Sequence, residues 1–158
     1  MSRFQLALRV SDLDSSVAFY TKLFGVEPAK RRPGYANFAV ANPPLKLVLI
    51  EGEADQPTVL DHLGVEVFST DDVDAAASRL TDSGLITLEE SDTACCYALQ
   101  DKVWVRGPGN EPWEVYTVKA DADTLTKTGD DGACRCGEPN DADAAKATAA
   151  GGTGTRCC

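Results

Sequence analysis

The chain has 158 residues, 43% of them hydrophobic, and a formal net charge of −10, enough for one domain with a real core plus a tail. The negative charge argues against nucleic acid and anionic membrane surfaces as partners. No basic and apolar leader opens the sequence and no run reaches the roughly 18 apolar residues of a membrane span, so a soluble, cytoplasmic protein is expected.

Phe4–Val10 alternates apolar and other residues, the period of a half-buried strand. Ser11 or Asp12 can cap a following helix that places Leu13, Val17, Tyr20 and Phe24 on one face and stops at Gly25. Strand-like runs follow at Ala36–Val40 and Leu45–Ile50, separated by Asn42-Pro43-Pro44. The pattern then recurs. Asp61–Val67 reads as the second copy of the first strand, and Thr70 or Asp71 can cap a helix with Val73, Ala77 and Leu80 on one face, stopped by Gly84. The offset is 57 residues from Gln5 to His62 and 59 from Gly25 to Gly84. Leu85–Glu89, Cys96–Leu99, Val103–Arg106 and Trp113–Val118 are the strand-like runs of the second half, with a turn at Gly107-Pro108-Gly109. Each half is thus expected to be a βαβββ unit, modules of about 1–55 and 56–119 within a domain of 1–119. Residues 120–158 have no aromatic residue, one Leu, and four Lys/Arg against seven Asp/Glu, a net of −3. Such a segment buries too little apolar surface to offset the entropy of ordering, and a disordered tail is expected there.

Alternation also sorts the strand faces. Leu6, Leu8 and Val10, and in the repeat Leu63, Val65 and Val67, should pack under the helices. The opposite faces carry Gln5, Ala7 and Arg9, and His62, Gly64 and Glu66. Gln5 and His62 hold equivalent repeat positions, so a pseudo-two-fold brings them close. On the last strand Glu114 shares a face with Tyr116. An amide oxygen, an imidazole and a carboxylate then converge as a variant of the facial triad that leaves open positions on iron(II); zinc also accepts such donors. His62 is the single histidine of the chain. Near Leu47, where the first repeat should match Glu114, the sequence is apolar, so a fourth protein ligand is not expected.

Six cysteines fall as Cys95-Cys96, Cys134-Arg135-Cys136 and Cys157-Cys158. Tight pairs in a chain without an export signal fit reduced thiols. Adjacent cysteines close a small, strained ring, so two neighbouring thiolates instead suit one soft, thiophilic centre. The bland alternative is a pair of buried, inert small hydrophobes. Neighbours on a strand point to opposite faces, so joint capture needs a loop or a strand end at Cys95-Cys96. Asp92-Thr93-Ala94, all small, suit a mobile loop beside it. The tail thiols collect soft ions or hand substrate onward, or are accidental.

The duplicated unit resembles the vicinal oxygen chelate superfamily, which includes glyoxalase I, bleomycin and fosfomycin resistance proteins and extradiol dioxygenases. Blocks at 5–8, 32–38, 43–49, 61–66, 93–97, 100–105, 107–109 and 112–116 resemble the organoarsenical carbon–arsenic lyases and the similar cadmium-induced proteins of actinobacteria. The resemblance implies an α+β fold, two βαβββ modules forming a curved sheet around a metal site. It implies an Fe(II)-dependent, O2-consuming lyase that cleaves trivalent organoarsenicals, turning methylarsenite into arsenite and formaldehyde, with aryl arsenicals as further substrates. By residue, it implies Gln5, His62 and Glu114 as metal ligands and Cys95 and Cys96 as arsenic-binding thiols. The family often has histidine where this chain has Gln5, a weaker neutral donor. The alternatives are a thiol protein that sequesters cadmium or arsenic without catalysis, and a metalloenzyme of the glyoxalase or fosfomycin-resistance kind. The expected partners are the small substrate and O2, in a monomer or homodimer.

Overall fold

The computed structural model describes residues 2–125. The order is β1 (Arg3–Val10), α1 (Leu13–Phe24), β2 (Lys30–Arg32), β3 (Tyr35–Val40), β4 (Leu45–Glu51), β5 (Val59–Glu66), α2 (Thr70–Asp82), β6 (Thr87–Cys95), β7 (Ala98–Arg106) and β8 (Pro112–Asp121). The eight strands form one mixed sheet in the order β2-β3-β4-β1-β5-β8-β7-β6. Read outward from its middle, the sheet is the same module twice: β1-β4-β3-β2 on one side and β5-β8-β7-β6 on the other. The expected α+β fold of two βαβββ modules is therefore the one observed. The tail cysteines Cys134, Cys136, Cys157 and Cys158 lie outside the described residues. Among the described residues, no helix is long and apolar enough to cross a membrane.

The helices begin where side chains satisfy orphan amides. Asp12 accepts the amide of Ser15 at 2.9 Å, and Ser69, one residue before the expected cap, accepts that of Asp72 at 3.2 Å. Helix α1 stops at Gly25, whose φ of 68° suits a residue without Cβ. Leu13 and Val17 pack with Val10, Phe38, Leu47 and Leu49 on one face of the first module. Val73, Ala76, Ala77 and Leu80 pack with Val103 on the second. Both helices thus cover one face of the sheet, and the other face is left for a site.

The strands of the second module depart from expectation. From Ala98 onward, the runs expected at Cys96–Leu99 and Val103–Arg106 are one strand with the polar residues between them, and Gln100, Asp101 and Lys102 are themselves buried. Asp92-Thr93-Ala94 belongs to β6 rather than to a loop, with a register shift between Glu90 and Thr93. At that bulge Asp92 has a φ of 52°, and its amide is fastened to Asp101 Oδ1 at 2.8 Å. Lys30–Arg32 forms a short edge strand that the sequence reading did not separate out; a charged three-residue edge is weak in periodicity and resists pairing with other chains.

Candidate functional site

The centre of the sheet is the antiparallel pair β1/β5. There Gln5 lies opposite Gly64 and Ala7 opposite His62. The offset of 57 carries Gln5 onto His62 and Ala7 onto Gly64, so each polar side chain faces a small residue across the pseudo-two-fold. On the next strand Glu114 lies opposite Gly64. A Cβ on Gly64 would stand 3.1 Å from Glu114 Cγ and 3.3 Å from Gln5 Cβ. Glycine there lets Gln5 and Glu114 lean together over its Cα.

The three side chains meet. Gln5 Nε2 is 2.9 Å from His62 Nε2 and donates to Glu114 Oε1 at 2.7 Å. His62 Nε2 is 3.4 Å from the same carboxylate oxygen. All three residues are buried, at 5%, 5% and 2% exposure. Donors bound at about 2.1 Å in neighbouring positions of an octahedron stand about 3.0 Å apart, so this triangle matches one face of an octahedral ion. The fit requires Gln5 to present its oxygen, which a half-turn of the amide accomplishes, since the two ends occupy nearly the same volume. Among the described residues, no group of three or more His, Cys, Asp or Glu side chains is placed to hold an ion; the third donor of this set is the amide.

Each of the three is held from behind. Asp61 Oδ1 lies 2.6 Å from His62 Nδ1, with Arg9 Nε 2.5 Å from the other carboxylate oxygen. That fixes a proton on Nδ1 and turns Nε2 toward Gln5 and Glu114. Lys102 Nζ donates to Glu114 Oε2 at 3.0 Å, so only Oε1 faces the other two. Tyr116 Oη is 2.6 Å from Gln5 Oε1. Burial alone pushes Glu114 up, but Lys102 and His62 outweigh it and hold the carboxyl at about 2. Burial likewise works against a charged imidazole, yet Glu114 and Asp61 raise His62 to about 9.

The thiols occupy the tip of the β6/β7 hairpin. Cys95 pairs with Ala98, and the two residues between them, Cys96 and Tyr97, have φ of 54° and 59°. Two consecutive positive φ values are the signature of a type I′ hairpin turn, a place usually taken by Asn-Gly. For a cysteine and a tyrosine this backbone is strained. It is held by Tyr97 Oη donating to Pro33 O at 3.0 Å and by a T-shaped contact of its ring with Tyr35. The turn defeats strand alternation: the two sulfurs lie 3.3 Å apart. Cys96 is therefore in a turn and not in a strand as its sequence suggested. Cys95 and Cys96 line the same cavity as Gln5, His62 and Glu114, together with Tyr35, Lys46, Val48, Gln100, Lys102 and Trp104.

That cavity is closed down to about 10 Å3, room for one water-sized occupant. A larger open cleft of about 670 Å3 beside the start of α1 is lined by Asp12, Arg31, Gly34 and Glu51 among others, without histidine or cysteine. Side-chain chemistry therefore favours the smaller cavity. The first-repeat position matching Glu114 is Val48, which lies opposite Ala7 as Glu114 lies opposite Gly64. Leu47, expected there, points into the core under α1. Both are apolar.

Sequence reading missed the residues around the three donors. Lys102 looked like part of a plain buried strand, and Asp61, Gly64 and Tyr116, though inside the blocks that carry the resemblance, were given no role of their own. Trp104 meets the His62 ring edge-on at 5.5 Å. Its Nε1 and the Gln100 Oε1, two buried polar atoms on the cavity side of β7, have no hydrogen-bond partner among the described residues.

The sequence pattern of the glyoxalase/bleomycin resistance protein/dioxygenase superfamily matches residues 3–115. Over 158 residues, all of both chains, the sequence is 63% identical to a "trivalent organoarsenical cleaving enzyme" of Thermomonospora curvata. It is 61% identical over 125 residues to the "cadmium-induced protein CadI" of Mycobacterium bovis, covering 79% of this chain and 82% of that one. Among solved structures, the Mn(II)-bound glyoxalase of Novosphingobium aromaticivorans superposes with a TM-score of 0.55 at 20% identity, over 82% of this chain and 44% of that chain. An extradiol ring-cleaving dioxygenase from B. fuscum superposes at 0.53 and 22%, over 79% and 33%. At that identity the two structures speak for the fold alone.

Proposed function

The chain belongs to the glyoxalase/bleomycin resistance protein/dioxygenase superfamily, and from that membership we propose that it is an enzyme cleaving the carbon–arsenic bond of trivalent organoarsenicals. In this reading Gln5, His62 and Glu114 hold iron(II), and Cys95 and Cys96 hold arsenic. The full-length identity of 63% to an organoarsenical cleaving enzyme supports the substrate class. The observation that carries the assignment of residues is that a vicinal thiol pair and a three-donor set line one buried cavity.

Capture of methylarsenous acid is a ligand exchange: two thiols replace two hydroxyls on arsenic, and two waters leave. Bonds of about 2.3 Å, a zinc–thiolate length, span the 3.3 Å between the sulfurs at an angle of about 90°, which suits a pyramidal trivalent centre. The grip raises the effective concentration of the scissile bond beside the three donors. Iron(II) bound there supplies the redox chemistry that activates dioxygen. Methylarsenous acid and one O2 become formaldehyde and arsenous acid with every atom accounted for; the methyl carbon loses four electrons, O2 gains four, and arsenic stays trivalent. Within the chain, Lys102 keeps Glu114 ionised and one-sided, Asp61 keeps the Nε2 lone pair inward, and Trp104 shields His62 from water. Gln100 Oε1 and Trp104 Nε1 are free to contact the bound substrate. The cavity is too small for an arsenical as it stands, so admission requires the Cys95–Ala98 turn to swing outward. In this reading all five residues are supplied by one chain.

Arsenic speciation with iron(II) and methylarsenite, with and without air, tests the proposal. Arsenite, formaldehyde and oxygen uptake are expected in air only. Stoichiometric arsenical binding without arsenite release would instead identify a sequestering protein, the second reading that the cadmium-induced relative keeps in view.

A further inference from the structure

Tyr116 is fully buried, and its hydroxyl sits among three partners. Gln5 Oε1 is at 2.6 Å, Glu66 Oε2 at 2.8 Å, and Lys46 Nζ, a donor, at 3.1 Å. A phenol has one proton to give. With the Gln5 oxygen facing it, that proton serves either Gln5 or Glu66, and the other oxygen–oxygen contact has no hydrogen in it. Glu66 is held as a carboxylate by Arg3 at 3.1 Å and Lys46 at 3.2 Å, so it brings no proton of its own. The conflict disappears when the amide is turned. Gln5 Nε2 then donates to Tyr116, Tyr116 donates to Glu66, and every contact carries one hydrogen.

On the other side of the amide the preferences are reversed. Nε2 facing inward donates to Glu114 Oε1 at 2.7 Å; an oxygen in its place would face that carboxylate without a proton between them. A cation among the three donors removes this objection.

We propose that Tyr116 is a positioning residue that sets which end of the Gln5 amide faces the site. On metal uptake it accepts a hydrogen bond from the turned amide nitrogen and directs its own O–H to the Glu66 carboxylate. The inference rests on the reading of Gln5, His62 and Glu114 as a metal site. The relay ends on a carboxylate, so each link is polarised by the next, and electron density is pushed toward the amide oxygen. It offers a reason why a neutral amide serves as a ligand here. Without the hydroxyl, the metal-free form strands a buried carbonyl and the loaded form strands a buried N–H, the less tolerated of the two. Removing it therefore penalises the loaded form more.

The experiment is a Co(II) titration of the full chain, with Co(II) as the probe metal, on wild type and on Tyr116→Phe, Glu66→Gln and His62→Ala. The thermal midpoint of each metal-free protein is recorded alongside. Tyr116→Phe is expected to bind Co(II) about 10–100-fold more weakly, the usual cost of losing a partner behind a ligand. Glu66→Gln, which shortens the relay without opening a cavity, is expected to weaken binding in the same direction, and it carries the test if the phenylalanine variant does not fold. Wild-type affinity in Glu66→Gln, or a Tyr116→Phe variant with a lowered midpoint and unchanged affinity, overturns the relay while leaving the metal site standing. Wild-type Co(II) affinity in His62→Ala overturns the metal reading, and the relay with it.

Discussion

Lys102 holds Glu114 by one oxygen. Its ammonium lies 3.0 Å from Oε2 while Oε1 turns to Gln5 and His62. Both side chains are 3% exposed, so neither charge has water to fall back on. Removing one partner of such a pair costs far more than the pair contributes net. Lys102→Met is therefore expected to destabilise the metal-free protein by about 3–5 kcal/mol. Saturating iron(II) should restore much of the loss, because a divalent ion at Oε1 puts more positive charge beside Glu114 than the His62 imidazolium alone. Urea denaturation with and without metal measures both; an equal loss in the two would rule out Glu114 as a ligand.

Gly64 acts through space that is not filled. The nearest atoms to an added Cβ belong to Glu114 and Gln5, at 3.1–3.4 Å. These contacts are tight enough to spread the two side chains by a few tenths of an ångström and loose enough to let the sheet form. Gly64→Ala should keep the fold and weaken metal binding by about tenfold, equivalent to about 1.4 kcal/mol. Calorimetric titration checks it, and unchanged affinity would show that donor spacing is not set at this position.

For the thiols the expectation separates binding from chemistry. Cys95→Ser and Cys96→Ser should each retain metal affinity and lose turnover of methylarsenite by about 100-fold or more, since one thiol cannot make the arsenical's capture intramolecular. Metal affinity and formaldehyde release, measured on the same samples, decide the matter. Wild-type turnover in both variants removes the clamp.

The two charged donors bracket the pH range of the metal-free protein. His62 is raised from 6.5 to about 9, so its contribution is fully present below 6.5 and is lost as pH climbs through about 9. Glu114 is lowered from 4.5 to about 2; its contribution is present above 4.5 and is lost as pH falls through about 2. The histidine part is on the order of 3 kcal/mol. Thermal midpoints of wild type and His62→Asn, followed from pH 6 to pH 10, should converge as pH rises. Parallel curves would contradict a charged imidazole between Asp61 and Glu114.

Much of this was legible in the chain. The repeat offset, the helix stops and the alternation along β1, β5 and β8 are local properties, fixed by side-chain period and capping, and they sufficed to put Gln5, His62 and Glu114 on one face. Cys95 and Cys96 stood out by adjacency alone, two thiols side by side in the chain. What these local properties could not tell was how the pieces meet. The shift from Leu47 to Val48 turns on inter-strand register, and register belongs to a pair of strands rather than to either one. The turn at Cys96-Tyr97 adopts a backbone its residues do not prefer, because Pro33 and Tyr35, more than sixty positions away, hold it there. Lys102, Gly64 and Tyr116 have roles only by virtue of neighbours on other strands. Periodicity and capping act over a few residues, so the sequence alone could determine the modules and their inward faces; charge pairing, steric room and proton sharing act between strands, and only the folded sheet decides them.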